Sequence, residues 1–205
     1  MKRRSLVFGA GLAAVSSGLF AKQDTVGGLQ RAYVTQPQLV RQQCPEWCWA
    51  ASSSMIFAAH GHPVDQTKIV ERIFGSPPAC VASGPTSTIS RVLSEQWVDE
   101  SGRTFQPRIT AGYDASNGIV AITNAFIIDE LASDRPILYC NTHHAMVIVD
   151  FNYAVGPGGV IIPQQVGVLD PWPTNPPYHP LTPAEMYGVT MAPGGQMTYL
   201  AAVQI

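Results

Sequence analysis

Cys48 stands directly before a run of small and apolar residues, from Trp49 to Ala59, that reads as one buried helix. A thiol at a helix N-terminus faces unpaired N–H groups and the positive end of the helix dipole, and both favour the thiolate. Gln42 lies six residues upstream, on the loop leading into that helix. Its amide can reach back and donate beside the sulfur. A nucleophile and a candidate oxyanion donor within seven residues make most of the local requirement for cysteine acyl transfer. A free thiol is mostly protonated at neutral pH, with an ordinary pKa of about 8.5. Such a site therefore also needs an imidazole partner, and a group that orients it.

Gln42, five residues, then Cys48-Trp49-Ala50 resembles the active-site segment of the papain-like cysteine peptidases. His144-Ala145-Met146-Val147-Ile148-Val149 is similar to the family's His-Ala-Val strand. Asp170, in Val168-Leu169-Asp170-Pro171-Trp172, stands where the family's third residue is expected. The motifs follow the family's order and span residues 42 to 172. The resemblance implies that Cys48 attacks, His144 carries the proton, Asp170 orients His144, and Gln42 assists the oxyanion. It implies a protein or peptide substrate and no cofactor. Two departures narrow it. Asp-Pro replaces the Asn of papain itself, which is more like the bacteriocin-processing, staphopain-like and type III effector peptidases of bacteria. Cys48 and His144 are 96 residues apart, against roughly 130–150 in papain-type enzymes, so the chain resembles a compact member. An amidase, acyltransferase or leader-processing enzyme could use the same triad. A secreted binding or toxin-like module could keep the scaffold without turnover.

His143 adjoins His144, and successive strand residues face opposite ways, so only one can enter the site. The resemblance selects His144 and leaves His143 at the rim. Asp150 reads as structural, and Glu46, beside the nucleophile, as exposed. Trp172 either covers the His144–Asp170 bond from water or packs in the core. A zinc site from Cys44, Cys48, His143 and His144 is disfavoured by the adjacent histidines. Of the four cysteines, Cys48 must stay reduced if it is the nucleophile. Papain-like enzymes often bridge the loop before the nucleophile to a loop about this far downstream, which implies Cys44–Cys80. Cys140 then reads as a buried thiol.

The chain has 205 residues, 46% hydrophobic and 13% charged, with net charge −2. That length favours one domain, and there is no basic surface for nucleic acid. Lys2-Arg3-Arg4, the apolar stretch Leu6–Phe20 and Ala21 form a signal-peptide pattern over residues 1–21, with Arg3-Arg4 also compatible with twin-arginine export. Residues 22–205 would be the mature peptidase domain, soluble, secreted or periplasmic, and free of the membrane.

Helices are expected at about 47–59, ended by Gly61 with His60 in a last turn that suits a cation, then at 65–74 with Asp65 as cap, at 86–97 and at 121–132. Residues 32–34 read as an edge strand. Further strands are expected at 104–112, 137–140, 145–153, 160–169 and 198–204, with a turn at 156–159 and a short capped helix from Thr182-Pro183-Ala184-Glu185. Helices first and strands later give an α+β class. The expected papain-like architecture packs an N-terminal helical lobe on a C-terminal antiparallel sheet or barrel lobe, with the active site between them.

Overall fold

The computed structural model describes residues 23–26, 28–76 and 80–205. The signal-peptide pattern of residues 1–21 lies outside them. Helix α1 (Cys48–Ala59) is buried on every side from Trp49 to Phe57. Small side chains permit this close packing, and two of the three serines bond to backbone, Ser53 Oγ donating to the Trp49 carbonyl at 2.8 Å and Ser54 Oγ to that of Val64 at 2.7 Å, while the buried Ser52 Oγ has no partner. Gly61, at φ 78°, ends the helix in a conformation that suits glycine. His60 caps that end. Burial and the Arg135 charge push its basicity down, which favours the neutral ring rather than the expected cation.

Helix α2 (Gln66–Phe74) begins at the expected cap, where Asp65 accepts from the Thr67 N–H at 2.7 Å. Helix α3 (Thr86–Val92) is shorter than the four-residue spacing of Ile89, Leu93 and Trp97 suggests. Trp97 instead lies in β3 (Trp97–Val98), paired with β4 (Thr104–Phe105). Its indole folds back to donate to the Val92 carbonyl and packs beside Phe57, so it joins the same core by a turn.

The remaining strands form one nine-stranded antiparallel sheet. They are β1 (Gln23–Val26), β2 (Leu29–Tyr33), β5 (Arg108–Asp114), β6 (Ile119–Ala121), β7 (Ile137–Asn141), β8 (Ala145–Val155), β9 (Ile161–Leu169), β10 (Tyr178–Pro180) and β11 (Met197–Gln204). The order is β1-β2-β8-β7-β11-β5-β6, with β9 also on β8 and β10 on β9. Strand β2 is therefore internal, not an edge. The expected 104–112 strand is two strands separated at Gln106-Pro107, where proline cannot donate to a ladder. Helix α4 (Asn124–Ala132) starts later than expected because Thr123 caps it, and the residues before it pair as β6. Thr182 and Glu185 bond reciprocally as a capping box, but only turns follow. The fold is thus mixed, with four α-helices and a large antiparallel sheet among the described residues. None of those helices is long and apolar enough to cross a membrane.

Cys44 and Cys80 are joined by a disulfide, with Cα atoms 5.0 Å apart and 36 residues between them in sequence. The bond fastens the loop before α1 to the segment before α3. Closing such a loop stabilises by about 3–4 kcal/mol in the chain-entropy view. Thermal unfolding with and without reductant should show a clear drop in Tm. An unchanged Tm after complete reduction would remove the bond from any account of stability.

Candidate active site

Three segments distant in sequence converge at the start of α1. Cys48 is the first residue of that helix and is half-buried, with a free thiol. No side chain caps the helix at Trp47 and its first turn carries no acidic residue. The first-turn N–H groups, that of Cys48 included, have no partner within the helix.

His144 ends the turn between β7 and β8. The turn is shaped by Asn141, whose Oδ1 accepts from the N–H groups of His143 at 2.8 Å and His144 at 2.7 Å. Asn141 is held in turn by Glu185, which accepts from its Nδ2 at 3.0 Å. His144 Nε2 lies 2.7 Å from Asp170 Oδ1. Nδ1 is the ring nitrogen that Asp170 does not engage, and the Cys48 side chain is among the influences that raise the ring's basicity. His143 is exposed at the rim.

Asp170 directly follows β9 and is 1% exposed. Its Oδ1 also accepts from the Trp172 N–H at 2.8 Å. Its Oδ2 accepts from Asn175 Nδ2 at 2.8 Å and lies 3.1 Å from His179 Nε2. Burial alone would raise this carboxyl's pKa. The hydrogen bonds from His144, Asn175 and Trp172 outweigh it and hold the carboxyl well below the usual carboxylate range. For His144, burial works downward, and the bond to Asp170 together with the influence of Cys48 outweighs it, pushing the imidazole up to about 9. At neutral pH the pair is an imidazolium against a carboxylate. The Trp172 and His144 rings lie nearly perpendicular, with centroids 6.1 Å apart.

The segments before Cys48 and after Asp170 are tied together. The Arg41 guanidinium donates to the carbonyls of Asp170, Trp172 and Asn175, and the Gln42 N–H donates to the Pro171 carbonyl at 2.9 Å. Gln66 locks the same loop by accepting from the Gln43 N–H and donating to the Arg41 carbonyl. Gln42 itself is buried. Its Nε2 donates to the carbonyls of Cys44 at 2.9 Å and Pro45 at 2.8 Å, so both amide hydrogens have acceptors inside the loop, while Oε1 has none.

A cavity of about 500 Å³ opens beside Cys48 and His144, with Glu46, Gly84, Ile89 and Thr142 on its walls. Gly84 must be glycine here, because a Cβ would run into the Trp49 ring. A second, polar cavity of about 320 Å³ lies behind His144 and is lined by Asp170, Trp172, Asn175 and His179. Elsewhere, Asp150 is buried in an ion pair with Arg31 and accepts from the Tyr178 hydroxyl, a structural role. Burial pushes the Cys140 thiol far up, so it stays protonated. Cys44 is spent in the disulfide, which removes it from any zinc set.

Arg41, Asn141, Asn175, His179 and Glu185 were not legible in the sequence. The sole local signal was the proline-rich segment after Asp170, which must return the chain to the sheet and so brings residues 175 and 179 back to it.

No family model and no curated protein matches the chain. Among solved structures, "Crystal structure of UfSP from C.elegans" is similar at a TM-score of 0.48 and 14% identity, over 92% of this chain. The match covers 36% of that chain, so this protein spans about a third of its length.

Proposed function

We propose that this chain is a papain-like cysteine peptidase that works outside the cytoplasm. The observation that carries the reading is the His144–Asp170 hydrogen bond beside the cavity that Cys48 and His144 share, with the thiol at a helix N-terminus and the carboxylate buried. In this mechanism the Cys48 sulfur attacks a peptide carbonyl carbon and the carbonyl electron pair moves onto oxygen. The Cys48 N–H meets that oxyanion. Gln42 joins it by releasing one of its loop carbonyls as substrate binds, since catalytic hydrogen bonds often tighten only in the complex. The His144 imidazolium gives its proton to the departing amine, leaving a thioester. The neutral imidazole then takes a proton from water, which attacks the thioester and regenerates the thiolate. Asp170 keeps the ring oriented throughout and stabilises its charged form. The cavity of about 500 Å³ beside Cys48 and His144 is where the peptide would bind. The export pattern of residues 1–21 and the Cys44–Cys80 bond support an oxidising compartment.

A peptide library incubated with the purified protein tests this reading. New termini found by mass spectrometry, absent with Cys48→Ala, are expected. Modification of amines or glutamine side chains without new termini would replace peptidase by acyltransferase or amidase.

A further inference from the structure

Asp170 serves two imidazoles. Its Oδ1 meets His144 and its Oδ2 meets His179. His179 comes from β10, opposite Val168 of β9, so its position on the carboxylate is fixed by strand pairing, not by a loose loop. Its other nitrogen, Nδ1, lies 3.1 Å from the Pro180 carbonyl. A ring with acceptor oxygens on both nitrogens satisfies both only as an imidazolium; the neutral ring turns a lone pair toward one of them. Two imidazoles thus share a single buried carboxylate.

We propose that His179 is a positioning residue for the reaction at Cys48: it holds the second oxygen of Asp170, and its own protonation sets how much of the carboxylate's charge His144 receives. The proposal rests on the peptidase reading for its role in turnover, whereas the coupling between the two rings does not. Protonated, His179 competes with His144 for Asp170 and makes the His144 imidazolium a stronger acid. Neutral, it still donates through Nε2 but adds no charge. The groups facing it are few. Asp170, His144, His143 and Glu185 line the same polar cavity. Glu185 is engaged by Thr182 and Asn141, and His179's charge is among the influences that keep its carboxyl ionised. On the neighbouring strands, Asp150 is neutralised by Arg31. Among the described residues, Asp170 is therefore the one acidic group that bonds the ring. Across a carboxylate the two rings should couple by about half a pH unit, or about threefold in an equilibrium.

The test is a ¹⁵N-histidine NMR titration of the whole protein, with rates measured in parallel. In the wild type the His144 signals should show a second, smaller inflection where His179 titrates, and kcat/KM a step of about threefold at the same pH. In His179→Gln, which keeps a donor of similar reach but no charge, both should vanish while the His144 midpoint near 9 remains. His179→Ala, which leaves Oδ2 to Asn175 alone, should lower kcat roughly tenfold with KM unchanged, and His179→Gln should restore it. A His144 titration curve that superimposes in wild type and His179→Gln overturns the proposal, even if His179→Ala does not fold. Coupled rings in a protein whose Cys48 reacts with iodoacetamide no faster than Cys140 would instead refute the peptidase reading and leave the coupling standing.

Discussion

Cys48→Ser is expected to lower kcat/KM by at least about four orders of magnitude, ~5 kcal/mol of transition-state stabilisation, and to leave the fold intact. The hydroxyl occupies nearly the same place at the first position of α1, where serine is well tolerated. It would still hydrogen-bond His144. What it lacks is acidity: an imidazole partner and a helix N-terminus can favour a thiolate but cannot ionise an alcohol at neutral pH. The buried side chains behind Cys48, Trp49 to Phe57, are untouched, so Tm should move by no more than a few degrees. Rates with a cleaved peptide and a parallel thermal melt decide the matter. Wild-type turnover by Cys48→Ser would end the nucleophile assignment and falsify the mechanism, since no other free thiol reaches the cavity unburied: Cys140 lies on its wall but is enclosed and protonated.

The linear order of the site was readable because its chemistry is written in short local patterns. Gln42, Cys48 and the small-residue run sit within one loop and one helix, and the run packs as a helix because alanine and serine let backbones approach from all sides. The apolar strand after His144 and the strand end at Asp170 also follow from local alternation and a proline stop. What stayed hidden are contacts made by chain return. Arg41 looks like any surface arginine until residues 170–175 fold over it. Asn141 looks like a turn residue until its amide receives two N–H groups. His179 lies nine residues past Asp170 and reaches it only because β10 pairs back along β9. Boundaries failed for a similar reason. Trp97 keeps helical spacing with Leu93, yet the chain has already turned, and tertiary burial of the indole supplies what helical continuation would have. Gln42 is the converse case: its place was legible, but the commitment of its amide to two loop carbonyls was not.

His144→Ala is expected to cost about 10²–10⁴-fold in kcat/KM, toward the upper end, because one ring both stabilises the thiolate and carries the proton to the leaving group. His143→Ala should change it by no more than about twofold, as for other exposed substitutions. The two residues share Asn141 as acceptor for their N–H groups, so both variants keep the turn. They differ in what the ring touches: His144 bonds Asp170 and shares a cavity with Cys48, whereas His143 is exposed at the rim. Removing the His144 ring does not strand the buried carboxylate, which retains the Trp172 N–H, Asn175 and His179. Loss of activity in His144→Ala is thus separable from loss of fold, and a thermal melt should show it. The wild-type pH profile supplies the second half of the test. His144 is pushed up to about 9, so the imidazolium needed by the leaving amine is present through neutral pH and disappears as pH rises through about 9. The basic limb of kcat/KM should fall there. In His144→Ala the residual rate should lack that limb. If His143→Ala instead abolishes both the activity and the limb, the turn presents the other ring to Cys48, and His143 is the base.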